Sequence, residues 1–265
     1  MFVTFLSDFG LQDDFVGTCH GVVLRIAPEA RIIDITHGIP PRAVLQGALV
    51  LANTVPYMPE GVHLAVVDPG VGGYRRALVV RDADGRTYVG PDNGLLLPAA
   101  DRAGIVSAHE LANPAYALAS ISRTFHGRDL FAPAAAHLAR GVEPGELGPP
   151  IDPGALVRLE LPVATFDDGV VHATTLYLDS FGNIALNLTR DDLDSFGVVP
   201  GTRLELELGG QRYFAVAART FADARAGDVI LYEDSYRNMS IAISSGNAAA
   251  MLRAVIGDGV VIRVV

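Results

Sequence analysis

The chain predicts an α/β protein in two parts: an N-terminal, mostly parallel sheet with helices on both faces, and a smaller C-terminal antiparallel, β-barrel-like domain. Three observations carry this. Strand-like and helix-like apolar runs alternate from Phe2 to Val67; the stretch from Gly148 to Pro162 holds four prolines and little helical periodicity; beyond it the pattern changes to short alternating runs broken by turn residues. At 265 residues the chain exceeds the usual size of one domain and can bury two cores. The predicted division is an α/β domain over 1–150, a linker over 151–162 and a β domain over 163–265.

Phe2 to Leu6 reads as a buried strand ending at Ser7-Asp8-Phe9-Gly10. A helix follows from Asp14, with Phe15, Cys19, Val22, Val23 and Ile26 at helical spacing and Pro28 at its exit. Ile32 to Ile35 is a second strand running into His37-Gly38, Val44 to Ala52 a second helix, and Leu64 to Val67 a third strand ending at Asp68-Pro69-Gly70-Val71-Gly72-Gly73. In such sheets ligands gather at the carboxyl ends of strands, so these polar ends are informative. Ala77 to Arg81 and Arg86 to Val89 flank Asp84-Gly85 as a hairpin, and Leu130 to Leu138 is helical with Gly141 as its stop. In the C-terminal part, Val170 to Leu178, Ile184 to Leu188, Arg203 to Leu208, Tyr213 to Ala217, Val229 to Tyr232 and Met239 to Ile243 read as strands.

Composition narrows the partners. A formal charge of −10, with no cluster of Lys or Arg, opposes nucleic acid and anionic membranes, so a small molecule is the expected partner. No run of about 18 apolar residues lacks Pro, Gly or charge, and Met1 to Asp8 has no basic leader, so neither a membrane span nor export by a signal peptide is expected. The single cysteine, Cys19, excludes an intrachain disulfide and fits a reducing cytoplasm; it reads as a small buried hydrophobe.

Asp8, Asp13, Asp14 and Asp68 fall in or beside the loops at the sheet's upper end, where hard divalent metals and His126 could support phosphohydrolase chemistry. Against this, Asp13-Asp14 opens a helix, where the dipole alone favours acids, and no H-x-x-x-H or H-x-E spacing anchors zinc. Gly70 to Gly73 matches neither a dinucleotide fingerprint nor a Walker loop and reads as a tight turn beside Asp68. His126 lies on a loop entering a helix, whereas His20, His63, His109, His137 and His172 carry less signal. Asp179 to Asn183 and Ser235 to Asn238 interrupt strands in a way that turn chemistry explains as well as binding does.

Taken together, six motifs resemble the S-adenosyl-L-methionine hydroxide adenosyltransferase family, which also contains fluorinating and chlorinating enzymes. They are Ser7 to Gly10 with Asp13-Asp14, Asp68 to Gly72 with Arg75, Pro91-Asp92-Asn93-Gly94, Phe125 to Asp129, Phe181-Gly182-Asn183 and Thr220-Phe221-Ala222-Asp223. The resemblance implies that water attacks the ribose 5′ carbon of S-adenosyl-L-methionine, releasing adenosine and methionine without a cofactor or metal. It places the water-activating Asp, Arg and His on Asp68, Arg75 and His126. Halogenating members carry Tyr-Ser where this chain has His126-Gly127, which disfavours halide use.

Carried over position by position, the resemblance assigns Asp8 to the ribose hydroxyls, Asn183 to the adenine edge, Phe221 and Phe181 to the ring, and Asp179 and Ser235 to the methionine group. Halogenating members have Arg directly after that serine; here Tyr236 intervenes before Arg237. A homotrimer with sites shared between neighbouring subunits is likewise implied. The competing readings are a halide-using synthase, a metal phosphohydrolase and a nucleoside-binding module without turnover.

Overall fold

Alternation within the first strand supplies both faces of the N-terminal sheet. In β1 (Phe2–Ser7), Val3 and Phe5 face one apolar layer and Leu6 faces the other. The computed structural model describes residues 1–167 and 169–265. It divides between Leu159 and Glu160, inside the proline-bearing stretch.

In the first unit β1 pairs in parallel with both β2 (Arg31–Thr36) and β3 (Gly61–Val66). The expected hairpin is formed by β4 (Ala77–Asp82) and β5 (Thr87–Pro91), with β5 parallel to β3. A strand without a clear sequence signal, β6 (Ile105–Glu110), pairs antiparallel with β4 and completes the order β2-β1-β3-β5-β4-β6. Helix α1 (Phe15–Ile26) buries Val16, Cys19, Val22 and Val23 in the layer that also holds α4 (Ala132–Ala139), while α2 (Val44–Thr54) and the short α3 (Leu97–Ala100) contribute to the other layer. Phe15, expected on the apolar stripe of α1, is 40% exposed and instead joins an aromatic cluster beside the site. Cys19 is fully buried, as expected of a small hydrophobe, and burial pushes its thiol pKa up to about 12.

The second unit closes on itself. Its strands are β7 (Thr165–Asp167), β8 (Val170–Leu178), β9 (Ile184–Thr189), β10 (Arg203–Leu208), β11 (Gln211–Ala217), β12 (Val229–Glu233), β13 (Asn238–Ile243) and β14 (Gly259–Val264). Pairing of β14 with both β10 and β8 closes a seven-stranded barrel, to which β7 is appended through β8. All its pairs are antiparallel except β11 with β12, whose parallel register needs the crossover through residues 218–228. Strand β10 shows why the barrel fills: Leu204, Leu206 and Leu208 are buried in its core while Arg203, Glu205 and Glu207 alternate with them.

One buried histidine predicts that the α/β unit loses stability in acid. His63, on β3, is fully buried, its Nδ1 2.8 Å from the Thr4 hydroxyl, and burial lowers its pKa to about 4. A histidine neutral when folded and protonated when unfolded destabilises the fold as pH falls. Stability should therefore decline between about pH 6.5 and 4, by up to about 3 kcal/mol. Chemical denaturation across that range tests this; a His63→Asn variant showing the same decline would assign it elsewhere.

Candidate active site

The upper ends of β1, β2 and β3 bring Asp8, His37 and Asp68 to one end of the sheet. The Asp68 loop turns tightly: the Val71 N–H donates to the Asp68 carbonyl at 3.2 Å and the Gly73 N–H to the Gly70 carbonyl at 3.0 Å. Gly72 has φ +74°, and a Cβ there would lie 2.2 Å from the Arg123 carbonyl oxygen, so only glycine permits this approach to the segment leading to His126. The turn returns Arg75 onto Asp68.

Arg75 and Asp68 form a buried pair, with side chains 11% and 6% exposed. Arg75 Nε donates to both Asp68 oxygens at 3.0 and 3.1 Å, and its Nη2 makes a short contact with Oδ2. The same Nη2 lies 2.8 Å from His126 Nδ1. Because a guanidinium is donor-only and stays protonated, His126 Nδ1 must accept this bond, which leaves the proton of the neutral imidazole on Nε2. Burial, followed by the nearby Arg75 charge, lowers the His126 pKa below the ordinary histidine value. The set is therefore a carboxylate clamped by an arginine that also fixes the histidine tautomer. Phe131 lies under the guanidinium at 5.1 Å.

His126 immediately precedes a π-helical turn, Gly127–Phe131, which runs into α4 with Pro133 in its first positions. A Cβ on Gly127 would lie 2.8 Å from Phe9 Cζ. Phe9, Phe15 and Phe125 pack edge to face with centroids 5.1 to 5.9 Å apart, which locks the Ser7 to Gly10 loop against the His126 loop. Asp8 accepts from the Arg42 backbone N–H at 2.9 Å.

Other expected features have structural duties. Asp14 accepts from Thr18 within the first turn of α1, and both Asp13 and Asp14 are exposed. Asp92 accepts from Arg76 Nε at 2.7 Å and from the Val157 N–H at 2.9 Å, while Asn93 donates to the Val67 carbonyl beside Asp68. Among the described residues the four acids considered as metal ligands do not gather; the one group of three or more ligating side chains is His20, Asp34 and His37. Sequence spacing missed it because its members come from a helix, a strand and a loop.

In the barrel unit, Asp179, Phe181, Asn183, Phe221 and Ser235 line one cavity of about 810 Å³. Asp179 organises its loop, accepting from the backbone N–H groups of Phe181 and Asn183 at 2.9 Å and from Asn183 Nδ2 at 2.8 Å. Phe221 follows Thr220, whose hydroxyl caps a 3-10 turn, and its ring packs on Tyr232 at 4.8 Å while staying 43% exposed. Phe181 is 76% exposed. Asp234, which the sequence did not single out, shapes the Ser235 turn by accepting from the backbone N–H groups of Tyr236 and Asn238. Arg237 pairs with Glu233 at 3.1 Å; Tyr236 and Arg219 line the cavity.

A doubly covered α/β sheet bearing a carboxylate, a guanidinium and a partly buried imidazole in hydrogen-bond contact, in a chain whose β-barrel carries an aromatic-lined cavity, defines an enzyme. Among the described residues no helix is long and apolar enough to cross a membrane. Residues 3–148 match the SAM hydroxide adenosyltransferase N-terminal domain and residues 173–261 its C-terminal domain, and the chain belongs to that family.

The chain is similar, at 47% identity over 97% of its length and 95% of the relative's, to an (R)-S-adenosyl-L-methionine hydrolase of Salinispora arenicola. One of Thermus thermophilus is 40% identical over 94% of each chain. A fluorinase of Actinoplanes sp. is 31% identical over 91% of this chain and 90% of its own. The crystal structure of an uncharacterized conserved protein from Thermotoga maritima superimposes with a TM-score of 0.91 at 32% identity, covering 98% of this chain and 99% of that one.

Proposed function

We infer that this chain hydrolyses S-adenosyl-L-methionine to adenosine and methionine, the (R) epimer at sulfur being the one that its relatives' activity nominates. The observation that carries this reading is the Asp68, Arg75 and His126 set, in which one guanidinium holds both a carboxylate and an imidazole beside the place where water would attack. Water oxygen bonds to C5′ as the C5′–S bond breaks, its electron pair passing to sulfur. The sulfonium leaves as a neutral thioether, so neither a general acid nor a Lewis acid is needed. One proton is released from water.

Asp68 is the acceptor of that proton. Arg75 occupies lone pairs on both its oxygens, but a carboxylate offers about four acceptor sites. His126, with its proton held on Nε2, donates to the nascent hydroxide. Asp8 accepts from the ribose hydroxyls. Asn183, with one amide N–H given to Asp179, presents the other N–H and its carbonyl to the adenine edge between Phe181 and Phe221. Asp179 and Ser235 face the methionine group. A homotrimer in which neighbouring subunits complete each site fits the high apolar content, and a sedimenting mass of one chain would remove that part of the reading.

Turnover in ¹⁸O-labelled water should place the label at the 5′ hydroxyl of adenosine, with or without EDTA. Millimolar fluoride or chloride should give no 5′-halo product. A halogenated nucleoside as main product, or activity lost to chelator and restored by magnesium, would overturn the assignment.

A further inference from the structure

We propose that His20, Asp34 and His37 form a binding site for a divalent transition-metal ion of the zinc class, separate from the Asp68 set and independent of the hydrolytic reading. His20 comes from α1, Asp34 from β2, and His37 from the loop that follows β2. One ligand atom from each lies within 4.8 Å of the others. His20 Nε2 is 2.9 Å and His37 Nε2 3.1 Å from the same oxygen, Asp34 Oδ1. Tetrahedral zinc with bonds near 2.0 to 2.1 Å holds its ligand atoms about 3.3 Å apart, and the two histidine-to-carboxylate separations are already within a few tenths of an ångström of that spacing.

A second observation points the same way. The His37 side chain is only 2% exposed, and its Nε2, despite its distance to Asp34, makes no aligned hydrogen bond. A buried ring nitrogen without a partner is a cost that a metal bond removes. Its other nitrogen is already occupied: Nδ1 lies 2.7 Å from the Ser7 hydroxyl, the outer partner that fixes the ring and tautomer of a metal-ligating histidine. Phe5 packs edge-on against the same ring at 4.6 Å, and the Gly10 N–H donates to the His37 carbonyl at 2.8 Å. The innermost ligand is therefore already held in place.

The ligand set selects the metal. Two imidazoles and one carboxylate suit Zn²⁺, Co²⁺ or Ni²⁺ and not the all-oxygen shells of Mg²⁺ or Ca²⁺. With the His20 and Asp34 side chains 29% and 42% exposed, the remaining coordination positions open to solvent. Bound there, the ion ties α1 and β2 to the Ser7-Asp8 loop. None of its ligands belongs to the Asp68, Arg75 and His126 set.

The untagged full chain, stripped with chelator and titrated with Co²⁺, should bind one ion per chain with a visible d–d absorption band, and Zn²⁺ should displace it and raise Tm. His20→Ala and Asp34→Ala change partly exposed side chains outside the cores and should each weaken binding on the order of 100-fold or more. Ser7→Ala should weaken it roughly 10- to 100-fold, as the loss of an outer partner does elsewhere. Circular dichroism confirms folding of each variant. Binding of equal affinity in His20→Ala, or no Co²⁺ bound at millimolar concentration by the parent chain, overturns the proposal.

Discussion

Replacing His126 by Asn is expected to lower kcat by roughly 100- to 1,000-fold with little change in substrate affinity, the loss typical of one donor aimed at developing charge. Asn places its amide where Nδ1 stands, so the bond to Arg75 survives and the distal N–H is lost. His126→Gln reaches the Nε2 position with an amide donor that has no basicity. It should recover a substantial part of the rate. A Gln variant as inactive as Asn would make His126 the proton acceptor and reverse the roles given to it and Asp68. The neutral form is the working one, and its pKa is lowered. The pH profile of kcat/KM should therefore stay level below the ordinary histidine range and fall only as the pH drops through that lowered pKa; a fall beginning near pH 7 would contradict this.

Asp68→Asn should be damaging in two ways, which different measurements separate. Loss of the proton acceptor predicts a fall in kcat of roughly 100- to 10,000-fold. Because Asp68 and Arg75 are both largely buried, removing one charge strands the other, and breaking such a pair costs about 3 to 5 kcal/mol. Denaturant unfolding should register the second effect and single-turnover kinetics the first. An Asp68→Asn enzyme of parental rate and stability would exclude Asp68 from both roles.

How much of this the sequence disclosed depends on where each signal resides. The first three strands and two helices were legible because Val3, Phe5, Cys19 and Val22 repeat at the period of their element, and each apolar run ends in a polar cluster. Strand β6 was not, since Ile105 to Glu110 forms an edge in which only Ala108 is fully covered, so no alternation marks it. The last strand is equally unmarked: Val260-Val261-Ile262 is too short an apolar run to be told from a helix fragment. The site followed the same rule. Asp68 and Arg75 are near neighbours in sequence, yet only the fold carries His126 across to the same guanidinium. The tautomer of that histidine, the turn-making role of Asp234 and the meeting of His20 with His37 are relations between distant residues, which periodicity does not encode.

The closure of the barrel through β14 has a consequence for the order of events during synthesis. Every strand of the α/β sheet lies before residue 111, and α4 ends at Ala139, so that unit has all its elements while the barrel is still being made. The barrel does not. Its β8 and β10 are both left with an open side until Gly259–Val264 arrives to pair with each. At translation rates of about 5 to 20 residues per second, the interval from β8 to β14 leaves these edges unpaired for several seconds on the ribosome. In that window the nascent chain presents the kind of bare strand edge that templates association with other chains, and chaperone dependence should concentrate there.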